Sequence, residues 1–92
     1  MSGNDNYEID YLEIVVNEDI PKLPSSAMTL IKKAIEERLT LDPIGFGKPL
    51  RYSLKGHRRL RVSSYRVVYR IISSSRTVLV VAIKHRKEVY DE

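Results

Sequence analysis

The stretch "RRLRVSSYRVVYRIISSSRTVLVVAIKH", residues 58–85, decides how this chain folds. It contains three runs, Arg58–Ser63, Tyr65–Ser73 and Thr77–His85, joined by short serine-containing links with no helical segment between them. Runs rich in β-branched and aromatic residues read as strands, and links this short suit an antiparallel meander. Side chains alternate faces along a strand. Leu60 and Val62 therefore point one way and Arg59 and Arg61 the other, while Tyr65, Val67, Tyr69 and Ile71 form an apolar row with Arg66, Val68 and Arg70 opposite. If both apolar rows meet the core, four arginines share the other face of the sheet. Burying that many guanidinium groups without carboxylate partners is costly, so this face is expected to stay open.

Working outward, "DPIGFGKPLRYSLKGH" (42–57) is rich in Gly and Pro and reads as a loop or a set of short elements. Before it, "SSAMTLIKKAIEERLTLDP" (25–43) places Ala27, Leu30, Ile31, Ala34, Ile35 and Leu39 at helical spacing, with Ser25 or Ser26 as the cap and Pro43 as the stop. "NEDIPKLP" (17–24) admits a short helical turn or an extended entry, and "YEIDYLEIVV" (7–16) alternates well enough to form a first strand. The expected fold is α+β: a small two-layer domain in which an N-terminal strand and one or two helices pack on an antiparallel sheet of about four strands. Residues 1–92 form one domain, because no repeat, linker or low-complexity tract divides them.

Charge is distributed unevenly. The 92 residues carry 16 Lys and Arg against 12 Asp and Glu, a net charge of +4. Residues 1–42 hold nine acids and four bases, whereas residues 43–92 hold three acids and twelve bases. An anionic partner is favoured. The chain has no cysteine, which excludes disulfides and thiolate chemistry, and two histidines make a metal site improbable; no cofactor is expected. Neither a signal peptide nor a run of membrane-spanning length is visible, so a cytoplasmic location is expected. The helix has a mixed polar face, unlike a basic membrane-surface helix, and RNA offers both phosphates for Arg and bases that stack on Tyr. Lys84, His85 and Arg86 close the third strand, with Tyr90 just beyond.

The order "IPKLP…IKKAIEERL…DPIGFGKPLRYSLKGHRRLRVSSYRVVYRI…VAIKHRKEVY" resembles the RelE/ParE superfamily of bacterial and archaeal toxins over nearly the whole chain. "LKG", "RRLRV", "YRVVYRI" and "KHRKEVY" carry most of the likeness. The resemblance implies a ribosome-dependent endoribonuclease that cuts messenger RNA in the decoding site and is neutralised by a cognate antitoxin protein. ParE-like members of the same fold inhibit DNA gyrase instead, and a third possibility is a non-catalytic antitoxin-binding module.

The candidates are Arg61, Arg66, His85, Arg86 and Tyr90 for catalysis and Lys55, Arg58, Arg59 and Lys84 for RNA contact, with no metal; the resemblance matches Arg59, Arg61, Arg66, Arg86 and Tyr90 to family positions, and the others join them by charge, side-chain chemistry and place in the sequence. Arg66 matches the arginine that contacts the scissile phosphate. Two departures stand out: Ser63 and Ser64 occupy a turn where many relatives have Gly-Asp, and the sheet region has no obvious general-base glutamate. Arginine keeps its charge at neutral pH and suits stabilisation of a phosphorane, whereas His85 has the side chain whose ordinary pKa is nearest neutrality.

Overall fold

A computed structural model describes residues 6–89. Among them the sheet has five strands: β1 (Glu8–Tyr11), β2 (Lys48–Pro49), β3 (Arg58–Val62), β4 (Tyr65–Ile72) and β5 (Thr77–His85), in the spatial order β1-β5-β4-β3-β2. The three-strand meander lies at the centre, antiparallel as expected. Two additions extend it: β1 runs parallel to β5 at one edge, and the two-residue β2 pairs with β3 at the other.

The first strand is shorter than the alternation of residues 7–16 implies. After Tyr11 the chain turns inward and forms a π-helical turn, Val15–Asp19, followed by a 3-10 turn, Ile20–Lys22. Burial drives this change: Val15 is wholly enclosed and Asp19 is nearly so, positions that a continuing edge strand would not provide. Pro21 sits in the opening of the 3-10 turn, where its missing N–H costs nothing.

The helix α1 (Ser25–Ala34) continues as a wider π-helical turn through Leu39. Its start differs from the expected serine cap. Pro24 occupies the cap position, in an extended conformation with no side-chain bond, and Ser25 lies within the first turn, its carbonyl accepting from Thr29 Oγ1. Ala27, Ile31, Ala34, Ile35 and Leu39 face the sheet, where they meet Leu60, Val62, Val67, Tyr69, Val78, Val80 and Ile83. Leu30, which the helical spacing also assigns to the core, is 52% exposed because it lies at the edge of that stripe. A short helix α2 (Pro43–Phe46) follows, with the Asp42 carboxylate accepting from Gly45 N at 2.9 Å.

The segment from α2 to β2 is fastened to the sheet from below. Tyr69, fully buried, donates its hydroxyl to the Pro43 carbonyl, and burial raises its pKa above the ordinary phenol value. Arg58 donates through Nη2 to the carbonyls of Ile44 at 2.7 Å and Gly47 at 3.1 Å.

One irregularity in the meander sets the faces of β5. Val68 pairs with Ala82 but the next residue, Tyr69, pairs with Val80, so Val81 is an extra residue without a partner. Such a bulge resets the alternation. Val78 and Val80 point into the core before it, and Ile83 does so after it.

The link between β3 and β4 is the two-residue turn Ser63-Ser64, with Ser63 at φ 54°. A side chain in this left-handed region costs energy that glycine avoids. Ser63→Gly is therefore expected to stabilise the domain by about 0.5 kcal/mol, the relief being partly offset by glycine's greater freedom when unfolded. A urea titration checks this, and an unchanged or lower midpoint contradicts it.

Candidate RNA interface

Residues paired directly across a sheet share a face. In the register of β3, β4 and β5, Arg61 pairs with Arg66 and Arg66 with Lys84, so three cations lie in one row across the sheet, on the face away from α1. A second row beside it runs Lys48, Arg59, Val68, Ala82. A third contains Arg70, paired with Leu79, which in turn pairs with Asp10 of β1. The four arginines do share a face. Lys48 joins them although it lies in the stretch read as a loop; no periodic signal surrounds it, and only the pairing of β2 with β3 reveals its position.

The expectation that this whole face stays open needs correction. Arg61 and Arg70 are exposed, but Arg59 is 8% and Arg66 7% accessible. Arg66 folds back on its own turn, Nη1 donating to the carbonyls of Tyr65 at 2.9 Å and Ser63 at 3.3 Å. Those carbonyls satisfy two of the guanidinium's donor directions, which helps its burial to be tolerated. The bonds also hold the guanidinium in a fixed orientation.

Lys84 owes its place in the row to the bulge, since uninterrupted alternation from Val80 would turn it toward the core. Its ammonium reaches the outer edge of β5 and pairs with Asp19 Oδ1 at 2.9 Å. The hydrogen bond to Asp19 raises the lysine pKa above its ordinary value, against a smaller opposing effect of burial. Asp19 was not singled out from the sequence, where it is one acid in an acidic half.

The other candidates are placed differently. Arg58 pairs with Tyr69 and so faces the core side, where it clamps the α2–β2 segment rather than joining the cationic rows. Lys55 is exposed in the connection between β2 and β3, outside the rows. His85 pairs with Tyr65, the two rings meeting edge to face with centroids 5.6 Å apart, and both line a cleft of about 180 Å³ on the helix side. Its imidazole also closes a terminal turn, Arg86–Glu88: Nδ1 accepts from Lys87 N at 3.3 Å, while Glu88 accepts from His85 N at 3.2 Å. Sheet alternation thus separates His85 from Arg66, whereas Lys84, at the strand edge with Asp19, borders the same cleft as His85. Arg86 is exposed, with its backbone N–H bonded to the Ser64 carbonyl at 2.7 Å, close to the turn that Arg66 grips. Tyr90 lies outside the described residues.

The family model for the ParE toxin of type II toxin–antitoxin systems (parDE) matches residues 15–90. Toxin RelG of Mycobacterium tuberculosis is 33% identical over 72 residues, covering 78% of this chain and 83% of the relative. Among solved structures, the RelBE2 toxin–antitoxin complex of M. tuberculosis contains a chain that superposes with a TM-score of 0.81 at 30% identity, covering 88% of this chain and 99% of that one. The isolated RelE toxin of E. coli superposes with a TM-score of 0.71 at 25% identity, covering 86% and 83% respectively. No helix among the described residues is long and apolar enough to cross a membrane.

Proposed function

Because this chain belongs to the RelE/ParE superfamily of toxins of type II toxin–antitoxin systems, we propose that it is a ribosome-dependent endoribonuclease of translated messenger RNA, with Arg61, Arg66 and Lys84 receiving the scissile phosphate. The in-register row carries this proposal. Like charges directly opposite on a sheet repel, by up to about 1 kcal/mol per pair, a repulsion that Asp19 relieves at Lys84. An anion laid across the row turns that repulsion into attraction.

In the proposed step the 2′-oxygen attacks the neighbouring phosphorus, the bond from phosphorus to the 5′-oxygen breaks, and a cyclic phosphate and a 5′-hydroxyl result. Negative charge grows on the non-bridging oxygens, where fixed donors stabilise the transition state without reorganising. Arg66 suits this task because its guanidinium is already oriented by Ser63 and Tyr65. Arg59 and Lys48 extend the cationic surface along the RNA backbone, and Arg86 approaches it from the Ser64 side. Cations cannot take the 2′-hydroxyl proton, and His85 faces away with Nδ1 engaged. Proton transfer is assigned to Tyr90 and to groups of the ribosome, with this chain supplying the electrostatics.

A cognate antitoxin is the second proposed partner, supported by relatives whose structures are toxin–antitoxin complexes. An acidic segment fits the cationic rows. Such a protein acts in the cytoplasm, where ribosomes and messages are.

The test is to induce the chain without an antitoxin, map messenger RNA ends, and assay gyrase supercoiling in parallel. Cuts in phase with codons on translated messages are expected. Loss of supercoiling without cuts would point to a ParE-like inhibitor, and neither effect to a non-catalytic antitoxin-binding module.

A further inference from the structure

We propose that Asp19 is a positioning residue, which acts on bound RNA only through its grip on the Lys84 ammonium. The inference rests on the proposal that the cationic row receives RNA.

The geometry begins with the length of β1. That strand covers the outer edge of β5 only to Val80, whose carbonyl accepts from Leu12 N, and the chain then turns away. Beyond that point, among the described residues, the edge of β5 has no neighbouring strand. Asp19, delivered by the π-helical turn, takes its place: Oδ2 accepts from Ile83 N at 2.9 Å and Oδ1 from Lys84 Nζ at 2.9 Å. The carboxylate is almost fully enclosed, at 3% side-chain exposure, while the lysine remains 37% exposed.

Capping one backbone N–H does not require a charge. A neutral amide would accept the same bond with a smaller desolvation penalty, because burying a carboxylate costs far more than burying an amide. What the charge adds is the hold on Lys84. A lysine ammonium sits on a flexible stem and is strongly hydrated, and Arg66 directly across the ladder repels it. Asp19 fixes the third charge of the row at the outer edge of β5, so that a phosphate meets a preformed arrangement. The raised lysine pKa is consistent with that hold.

The test is a double-mutant cycle of Asp19→Asn and Lys84→Met, read as single-turnover cleavage on programmed ribosomes, with urea unfolding of each variant measured alongside. Asp19→Asn keeps an acceptor for Ile83 N but loses the ammonium. It is expected to lower the maximal rate about tenfold while leaving the half-saturating concentration within about twofold. Lys84→Met is expected to lose at least as much, and adding Asp19→Asn to it to change the rate by less than about twofold. A purely structural role would move the unfolding midpoint and leave the maximal rate intact, which overturns the proposal. So would multiplicative losses in the double variant.

Wild-type protein that cuts nothing on ribosomes removes the functional reading instead. In that event the same cycle is read on binding of a short RNA oligonucleotide with a single 2′-deoxy linkage to the free protein. Coupled losses there sustain the role of Asp19, and additive or absent effects end it.

Discussion

Arg61→Ala is expected to lower single-turnover cleavage on programmed ribosomes by about 10²-fold with little change in stability, and Arg66→Ala by about 10²–10³-fold with a loss of stability as well. The difference follows from their surroundings. Arg61 is exposed on β3, whereas Arg66 is buried and bonds the carbonyls of Ser63 and Tyr65. Truncating Arg66 removes its bonds to both carbonyls and the packing of a buried side chain, at a cost of about 1–3 kcal/mol. Arg66→Lys separates the two effects, because it keeps the charge but loses the planar fork that holds the turn carbonyls and would meet the proposed phosphate. Its cleavage rate is expected to fall nearly as far as that of Arg66→Ala. Stable, folded Arg61→Ala and Arg66→Lys variants that cut at the wild-type rate would remove the row from the site.

Gly47→Ala is expected to destabilise the domain by about 3 kcal/mol, at the upper end of what overpacking costs. A Cβ at this position would overlap the Tyr69 hydroxyl oxygen and lie 2.8 Å from the ring carbon that bears it and 3.1 Å from the Arg59 carbonyl. Tyr69 has no freedom to yield, since it is fully buried and its hydroxyl is bonded to Pro43. For a domain of this size the change amounts to roughly 12–24 °C in melting temperature. Tyr69→Phe removes the atom that clashes worst, so Gly47→Ala combined with Tyr69→Phe should lose less than the sum of the single changes. Thermal unfolding of the four proteins decides it: a Gly47→Ala melting point within a few degrees of wild type would show that the α2–β2 segment is not held as described.

The central sheet was legible because its signals are local. Alternation in β3 and β4 assigned Leu60, Val62, Val67 and Tyr69 to the core and the arginines to the opposite face, and the strands end within a residue of where the serine links place them. Interactions between distant residues were not legible. Nothing near Asp19 signals that it caps a strand 64 positions later. Residues 12–16 alternate passably, yet burial of Val15 turns them away from the sheet. His85 and Lys84 are adjacent in sequence and looked like one cluster; alternation directs them to opposite faces, and a bulge that no composition announces decides that Lys84 is the one beside Arg66, although both border the cleft that holds Asp19. Charge on a face was readable, but the burial of individual arginines was not, because it depends on carbonyls offered by the backbone of a turn.

That bulge makes the chemistry of the strand end a matter of parity. With Val81 as the odd residue, Lys84 stands beside Arg66 and His85 beside Tyr65. Removing Val81 would close the bulge and restore plain alternation, with Val80 inward, Ala82 outward, Ile83 inward and Lys84 still outward. Removing both Val81 and Ala82 would exchange Lys84 and His85, setting an imidazole among the cations and an ammonium against the core. The strand therefore carries one spare residue, whose loss conserves the order of faces. A second deletion replaces the cationic face with a different surface at once.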